Sequence, residues 1–367
     1  MALILIILSA LASLVNAWFY LGPAARLVQR LNTPPIKGSQ KHSVDILIAA
    51  RNEAVNLKKF LPKILKQEGE NISVLVVNDN SEDDTGEILR RFEKEYNQLK
   101  VISAFAKTRP GKKAALTQAI ELSNADWILA TDADCKPTTH NWAKRMRNAI
   151  GSKTEIVLGY SPYRKLPGWL NRWIRFEALY TAAQYMSATL TGRPYMGVGR
   201  NILYSRALFD RIGGFESHAH LAGGDDDLLV NQGATATNTQ ICIDADAWVY
   251  SEPHTSWSEY VRQKTRHLSV GTTYKRSDQL WLGLLAATHV AHFIGVVTLL
   301  SLGIWQVALL VYSVRLAIVW PRMAKIAKGL AENDLIPFLP LLDFGICMYY
   351  MIFSIPALFP TSGKKSW

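Results

Sequence analysis

The run Trp127-Ile128-Leu129-Ala130-Thr131-Asp132-Ala133-Asp134 passes from a buried-strand pattern straight into two carboxylates one residue apart. Upstream, Val44–Ala50 and Ile72–Asn78 have the same β-branched, apolar character, and Val101–Ala104 and Ile156–Tyr160 repeat it. Between them apolar residues recur at helical spacing: Leu57, Phe60, Leu61, Ile64 and Leu65, then Ile88, Leu89, Phe92 and Tyr96, then Leu116, Ala119 and Ile120. Strands that alternate with amphipathic helices predict an α/β domain, a mostly parallel sheet covered on both faces. Such sheets bind ligands beyond the carboxyl ends of their strands. The unusual polar residues fall at those ends. Arg51-Asn52-Glu53 follows the first strand, Asp79-Asn80-Ser81-Glu82-Asp83-Asp84 follows the second, and Asp132-Ala133-Asp134 closes the 127–131 strand. One such loop is equally well a helix cap or turn; three at one sheet edge predict a shared site.

The chemistry follows from the residue types. Carboxylates on a rigid loop suit Mg²⁺ or Mn²⁺, hard cations that also take diphosphate oxygens. A second acidic run, Asp225-Asp226-Asp227, is a candidate source of a general base, or else a solvated helix start. Lys107, Arg109, Lys112 and Lys113 are candidate phosphate ligands or a solvated basic face.

The remaining chain is apolar. Hydrophobic residues make up 49% and charged residues 19%, and the excess sits at residues 2–20 and from about 280 to 359. Residues 2–20 carry no charge and are long enough to cross a bilayer. A cleaved leader would place positive charge before the apolar run; here Arg26, Arg30, Lys37 and Lys41 come after it, which predicts an anchor with the following chain cytoplasmic. Residues 281–301 and 304–320 form a predicted hairpin split at Gly303, and 335–359, with its prolines and Asp343, is a third span or a re-entrant segment. His289, His292, Gln306, Arg315 and Asp343 inside these runs are expected to face a partner helix, a cavity or a substrate path, although Arg315 is also placed to snorkel. The predicted domains are an anchor at 1–22, a juxtamembrane linker at 23–42, a catalytic domain at 43–279 and membrane or interfacial helices at 280–360. Trp169, Trp173 and Phe176, interleaved with Arg172 and Arg175, read either as an interfacial helix or as one packed on the sheet. The net charge of +11 comes without a nucleic-acid motif and clusters beside apolar segments, so a membrane surface is the expected partner and nucleic acid is not. Three scattered cysteines, Cys135, Cys242 and Cys347, supply neither a disulfide framework nor a zinc site.

In order along residues 43–270, these segments resemble the family-2 glycosyltransferases of GT-A fold. The resemblance implies that Ala49, Arg51 and Glu53 hold the nucleoside, that Asp79 contacts uracil, and that Lys112 of Gly111-Lys112-Lys113-Ala114-Ala115-Leu116 lies near base and phosphates. It implies that Asp132 and Asp134 are the DxD pair, with Asp134 the usual metal ligand. Gly197-Val198-Gly199-Arg200-Asn201 resembles the acceptor loop, putting Gly199 and Asn201 on the acceptor side. Asp226, with Asp225 beside it, matches the catalytic base motif, and Gln263 and Arg266 match diphosphate contacts. The chain departs from the family at Asn78, Thr117 and Asp225, and at His267, an acceptor-side position where polymerising relatives carry Trp. The resemblance implies an inverting, metal-dependent transfer from a UDP-sugar to a lipid or lipid-linked acceptor at a plasma or inner membrane. A processive polysaccharide synthase and an inactive membrane scaffold are the alternatives.

Overall fold

The structure is a computed structural model that describes residues 2–34, 41–104, 111–221 and 223–354. Along the chain come α1 (Ala2–Leu21), α2 (Pro23–Leu31), β1 (Val44–Ala50), α3 (Ala54–Leu65), β2 (Ile72–Asn78), α4 (Thr85–Glu95), β3 (Leu99–Ser103) and α5 (Lys112–Leu122). Next are β4 (Trp127–Asp132), β5 (Cys135–Pro137), α6 (Trp142–Asn148), β6 (Ile156–Gly159), α7 (Trp169–Leu190), β7 (Ile202–Ser205), α8 (Arg206–Arg211) and α9 (Asp227–Gly233). The chain continues with β8 (Thr239–Cys242), β9 (Val249–Ser251), α10 (Trp257–Val270), α11 (Arg276–Ser301), α12 (Trp305–Gly329) and α13 (Leu339–Tyr349). These elements divide into a sheet-bearing unit, residues 34–164 and 192–253, and a helical unit, residues 1–33, 165–191 and 254–364.

The sheet-bearing unit is built on a seven-stranded sheet of order β3-β2-β1-β4-β7-β6-β8. β1, β2, β3 and β4 are parallel; β7 runs antiparallel to both β4 and β6, and β8 is parallel to β6. The expected mostly parallel sheet is therefore present. Its central strands are apolar on both faces because both are covered: Ile46, Ile48, Leu129 and Val157 pack with Leu57, Leu61 and Ile64 of α3 and Met146 of α6 on one face, while Leu47, Val77 and Ile128, of the opposite alternation, are also buried and α5 lies against β1 and β2. Leu61 is fully buried, and truncating such a side chain to alanine costs about 2–5 kcal/mol. Register then places the polar ends together. Ala49 pairs with Asp132 of β4 and with Val77 of β2, and Ala50 pairs with Asn78. A small antiparallel ribbon of β5 and β9 follows the carboxylate pair.

Among the described residues of the helical unit, four segments are long and apolar enough to cross a bilayer: Leu3–Leu31, Arg276–Ser301, Trp305–Gly329 and Asn333–Phe353. The C-terminal region thus holds three candidate spans, and the 23–42 stretch expected as a linker begins with helix α2, whose Pro23, Ala24 and Leu27 are buried. Leu3, Ile4, Leu8, Leu11, Ile294, Val297, Leu309 and Leu310 face outward, an apolar surface of the kind lipid covers. α1 packs closely on α11, where a Cβ on Gly295 would collide with Ser9. α7 is buried along most of its length, with α2 and α13 against it. Its Trp173 indole donates to Tyr260 Oη at 2.8 Å, Glu177 pairs with Lys264 at 2.5 Å, and buried Arg175 binds Glu332 and Asp334. An interfacial helix would expose that face; this one uses it for packing.

The polar residues of the apolar segments meet. Arg315 of α12 pairs with Asp343 of α13, with its second contact at 3.1 Å. Arg315 also donates to His289 Nδ1 of α11 at 3.3 Å and to Asn16 Oδ1 of α1 at 3.5 Å, and His289 Nε2 donates to the Asp343 carbonyl at 3.0 Å. Arg315 is 1% exposed, so it is an interhelical partner and does not snorkel. Gln306 is exposed.

Candidate active site

Two left-handed asparagines shape the loops after β1 and β2. Asn52 (φ +56°) and Asn80 (φ +53°) sit in a conformation that Asn tolerates better than most residues. The loops after β1 and β2 are stitched by hydrogen bonds from Asn52 N to Ser81 Oγ at 3.0 Å and from Glu82 N to Asn52 Oδ1 at 2.8 Å. Asp79 N donates to Ala50 O at 2.8 Å, so this buried residue stands directly beside the end of β1. Arg51 is exposed, while Glu53 is half-buried and accepts from Asn56 at 2.7 Å. Burial raises the Glu53 carboxyl above the usual range, and the nearby charges of Asp134 and Asp132 push the same way.

Asp132 ends β4 and Asp134 lies just beyond it, and their oxygens and Cys135 Sγ lie within 4.8 Å of one another. Asp134 accepts from Ser251 Oγ at 3.2 Å and from Cys135 Sγ at 3.4 Å. Burial, then the Asp132 charge, raises the Asp134 carboxyl, an arrangement a divalent cation would relieve. Burial also pushes the Cys135 thiol far up, so it stays protonated and the donors on offer are hard carboxylate oxygens. That donor set fits Mg²⁺ or Mn²⁺.

Gly111 (φ +128°) takes a conformation that favours glycine and starts α5 so that Lys112 is its first residue. Lys112 Nζ bridges Asp132 Oδ1 at 2.9 Å and Asp225 Oδ2 at 2.8 Å. Burial opposes the ammonium charge, but the two carboxylates outweigh it and hold the lysine well above its ordinary value. For Asp225, burial likewise works against the charged form and Lys112 overcomes it, leaving this carboxyl low. Its neighbour goes the other way. Burial, reinforced by Asp225, raises the Asp226 carboxyl. Asp226 Oδ2 accepts from Gly199 N at 2.6 Å and Oδ1 from Asp227 N at 2.8 Å, which caps α9 and ties the acidic run to the 197–201 loop. A side chain at position 199 would press on this carboxylate at 3.1 Å.

The fold thus brings Ala49, Arg51, Glu53, Asp79, Lys112, Asp132, Asp134, Gly199, Asp225 and Asp226 into one unit, on the loops and strand ends described above. Gln263, Arg266 and His267 lie on α10 in the helical unit, the first half-buried and the other two exposed. Two expectations change. Lys113 is not a phosphate ligand, because its ammonium is spent on the carbonyls of His218 at 2.6 Å and Leu221 at 3.1 Å. Asn201 is not an acceptor-side surface. Its amide is wholly buried, donating to Tyr160 O and Ala247 O at 2.8 Å each and accepting from Trp142 Nε1 at 2.9 Å. Asn201→Ala is expected to lower thermal stability by orphaning Trp142 Nε1 and Ala247 O, on the order of 1–3 kcal/mol for each, while Tyr160 O keeps its bond from Val249 N at 3.4 Å; an unchanged melting temperature would refute this. Lys107 and Arg109 lie outside the described residues. Reading the sequence missed Ser251, whose contact with Asp134 is tertiary, and gave no role to Arg200 inside the quoted acceptor loop.

A sheet of this topology, with a DxD pair at the carboxyl edge and an acidic base motif after it, defines the GT-A class of glycosyltransferase folds. Residues 45–213 match the family described as Glycosyl transferase family 2, and that stretch is similar to its members. The "Probable glycosyltransferase YdaM" of Bacillus subtilis (strain 168) is 27% identical over 64% of this chain and 57% of its own length. The "Beta-monoglucosyldiacylglycerol synthase" of Trichormus variabilis (strain ATCC 29413 / PCC 7937) is 37% identical over 25% of this chain and 20% of its own. The chain therefore spans little more than half of one relative and a fifth of the other. In fold it is similar to the mannosyltransferase PcManGT from Pyrobaculum calidifontis, solved with GDP-Man and Mn²⁺, at a TM-score of 0.58 and 16% identity, over 96% of this chain and 99% of that one.

Proposed function

We propose that the protein is an inverting glycosyltransferase that moves a sugar from a nucleotide-sugar donor, UDP-linked, to a lipid or lipid-linked acceptor at a membrane. The observation that carries this reading is Lys112, which ties the DxD carboxylate Asp132 to the acidic run holding Asp226. Candidate spanning helices in the same chain support a membrane acceptor, and Arg26, Arg30, Lys37 and Lys41 after the first favour a cytoplasmic catalytic domain at the plasma or inner membrane.

In this reading Asp226, raised and held by two backbone N–H groups, accepts the proton of the attacking acceptor hydroxyl. Asp225 positions Lys112 and, being held low, is no base. Glu53 and Asp79 bind the nucleoside, with Ala49 and Arg51 at the strand end. Asp134, with Asp132, would hold Mg²⁺ or Mn²⁺, which supplies neutralising charge to the departing diphosphate. Because the solved mannosyltransferase holds GDP-Man, the test covers both bases.

The deciding experiment is nucleotide-diphosphate release from a panel of UDP- and GDP-sugars, with detergent-purified protein, membrane lipid extract and Mn²⁺. One glycosylated lipid of fixed mass is the expected product; a ladder of chains would favour a polymer synthase, and no binding or turnover would favour a scaffold. Chelation with EDTA is expected to abolish release and Mn²⁺ to restore it. Asp134→Asn is expected to weaken Mn²⁺ binding at least about tenfold, as loss of a ligand or its support does; unchanged Mn²⁺ titration would remove Asp134 from the metal site.

A further inference from the structure

We infer that Arg200 marks a phosphate subsite beside the Asp132–Asp134 pair, an inference that rests on the glycosyltransferase reading above. Arg200 is positioned by its backbone: its carbonyl accepts from Thr131 Oγ1 at 2.9 Å, which clamps the 197–201 loop to the end of β4 just before Asp132. Its guanidinium lies over the Tyr163 ring, 4.3 Å from the centroid. A stacked guanidinium is a pre-ordered one, with its fork of N–H donors left for another partner.

That partner is missing from the protein. Arg200 Nη1 is buried yet has no hydrogen-bond acceptor among the described residues, and the residue forms no ion pair there. Several cations of the same unit, among the described residues, have protein partners. Lys112 serves Asp132 and Asp225, Lys113 serves two carbonyls, and Lys59 and Arg164 share Glu252. Asp134 and Asp132 act on Arg200 through space without closing a contact. Native proteins rarely leave a buried donor empty, and an empty guanidinium donor beside carboxylates suited to a hard cation calls for an anion that touches both. A phosphate does so: its oxygens match the arginine fork and bind hard cations. Its source is either the diphosphate of the donor or a phosphate carried by the acceptor lipid.

The test compares full-length wild-type protein with Arg200→Gln and Arg200→Lys in detergent, by calorimetry. The ligands are Mn²⁺ alone, UDP and GDP with Mn²⁺, and dioctanoyl phosphatidic acid against dioctanoylglycerol. If the donor fills the subsite, nucleoside-diphosphate affinity falls about ten- to hundredfold in Arg200→Gln, as for a lost charged hydrogen bond, and Arg200→Lys recovers part of it. If the acceptor fills it, nucleotide affinity holds while preference for phosphatidic acid over the neutral lipid disappears. Unchanged affinity in both arms overturns the inference. So does a change confined to Mn²⁺ alone, which would make Arg200 a counter-charge for the carboxylates, and so does a fall in melting temperature with no change in binding. Wild-type protein that bound no nucleoside diphosphate would instead refute the glycosyltransferase reading, and the lipid arm would then decide Arg200.

Discussion

Asp226→Asn is expected to lower turnover about 10²–10⁴-fold while leaving nucleotide binding nearly intact, the loss typical of a removed general base. The substitution is nearly isosteric. The amide oxygen can still accept one of the N–H bonds from Gly199 and Asp227, so the α9 cap and the loop tether persist in part. What disappears is basicity. The sign of the pH dependence follows from the raised carboxyl: the wild-type base becomes competent only as pH climbs through a value above the ordinary aspartate range of about 3.9. The rate should therefore fall on the acid side of neutrality earlier than an unperturbed aspartate would allow, and the residual rate of Asp226→Asn should lack that limb. Asp225→Asn should behave differently. It frees Lys112 from one of its two carboxylates, so the loss should be smaller and should extend to donor binding. Steady-state rates across pH, set beside nucleotide titrations of the same proteins, separate the two. Full turnover in Asp226→Asn would end its assignment as base.

Arg315→Leu and Asp343→Leu are each expected to destabilise the helical unit by about 3–5 kcal/mol, because each leaves an uncompensated charge among apolar helices. The pair sits at the junction of α1, α11, α12 and α13, since Arg315 also reaches Asn16 and His289. The double variant removes both charges and should recover much of the loss, as apolar replacements of buried ion pairs often do. Thermal unfolding of detergent-solubilised protein, read as a double-mutant cycle, gives the coupling directly. Single variants as stable as wild type would show that water reaches the pair.

The central sheet was legible because its signals are local. Val44–Ala50 and Ile72–Asn78 have the bounds their apolar runs predict, and β4 ends one residue later, at Asp132. β3 begins two residues before the apolar stretch, at Leu99, since pairing to Val74 of β2 and not side-chain character sets its start. The helix from Trp169 was legible as a helix but not in its role: the same Trp and Arg pattern suits an interface or a core, and only the partners Tyr260, Glu332 and Asp334 decide between them. Asn201 was misread for a related reason. A polar residue in a glycine-rich loop looks like a ligand contact until Trp142, Tyr160 and Ala247, far away in sequence, are seen to close on it.

By itself, then, the sequence determined the alternation of strands and helices, the carboxylates at the sheet's edge and the apolar terminal segments. Each depends on periodicity or composition over a few neighbouring residues, which short-range sterics and burial translate directly into structure. Tertiary structure decided which charges are spent and which remain. Lys112 bridges Asp132 and Asp225, Asp343 neutralises Arg315, and Arg200 is left with an empty donor. Electrostatic fate depends on distance and burial in three dimensions, and residues 28 or 113 positions apart in the chain carry no local sign that they will meet.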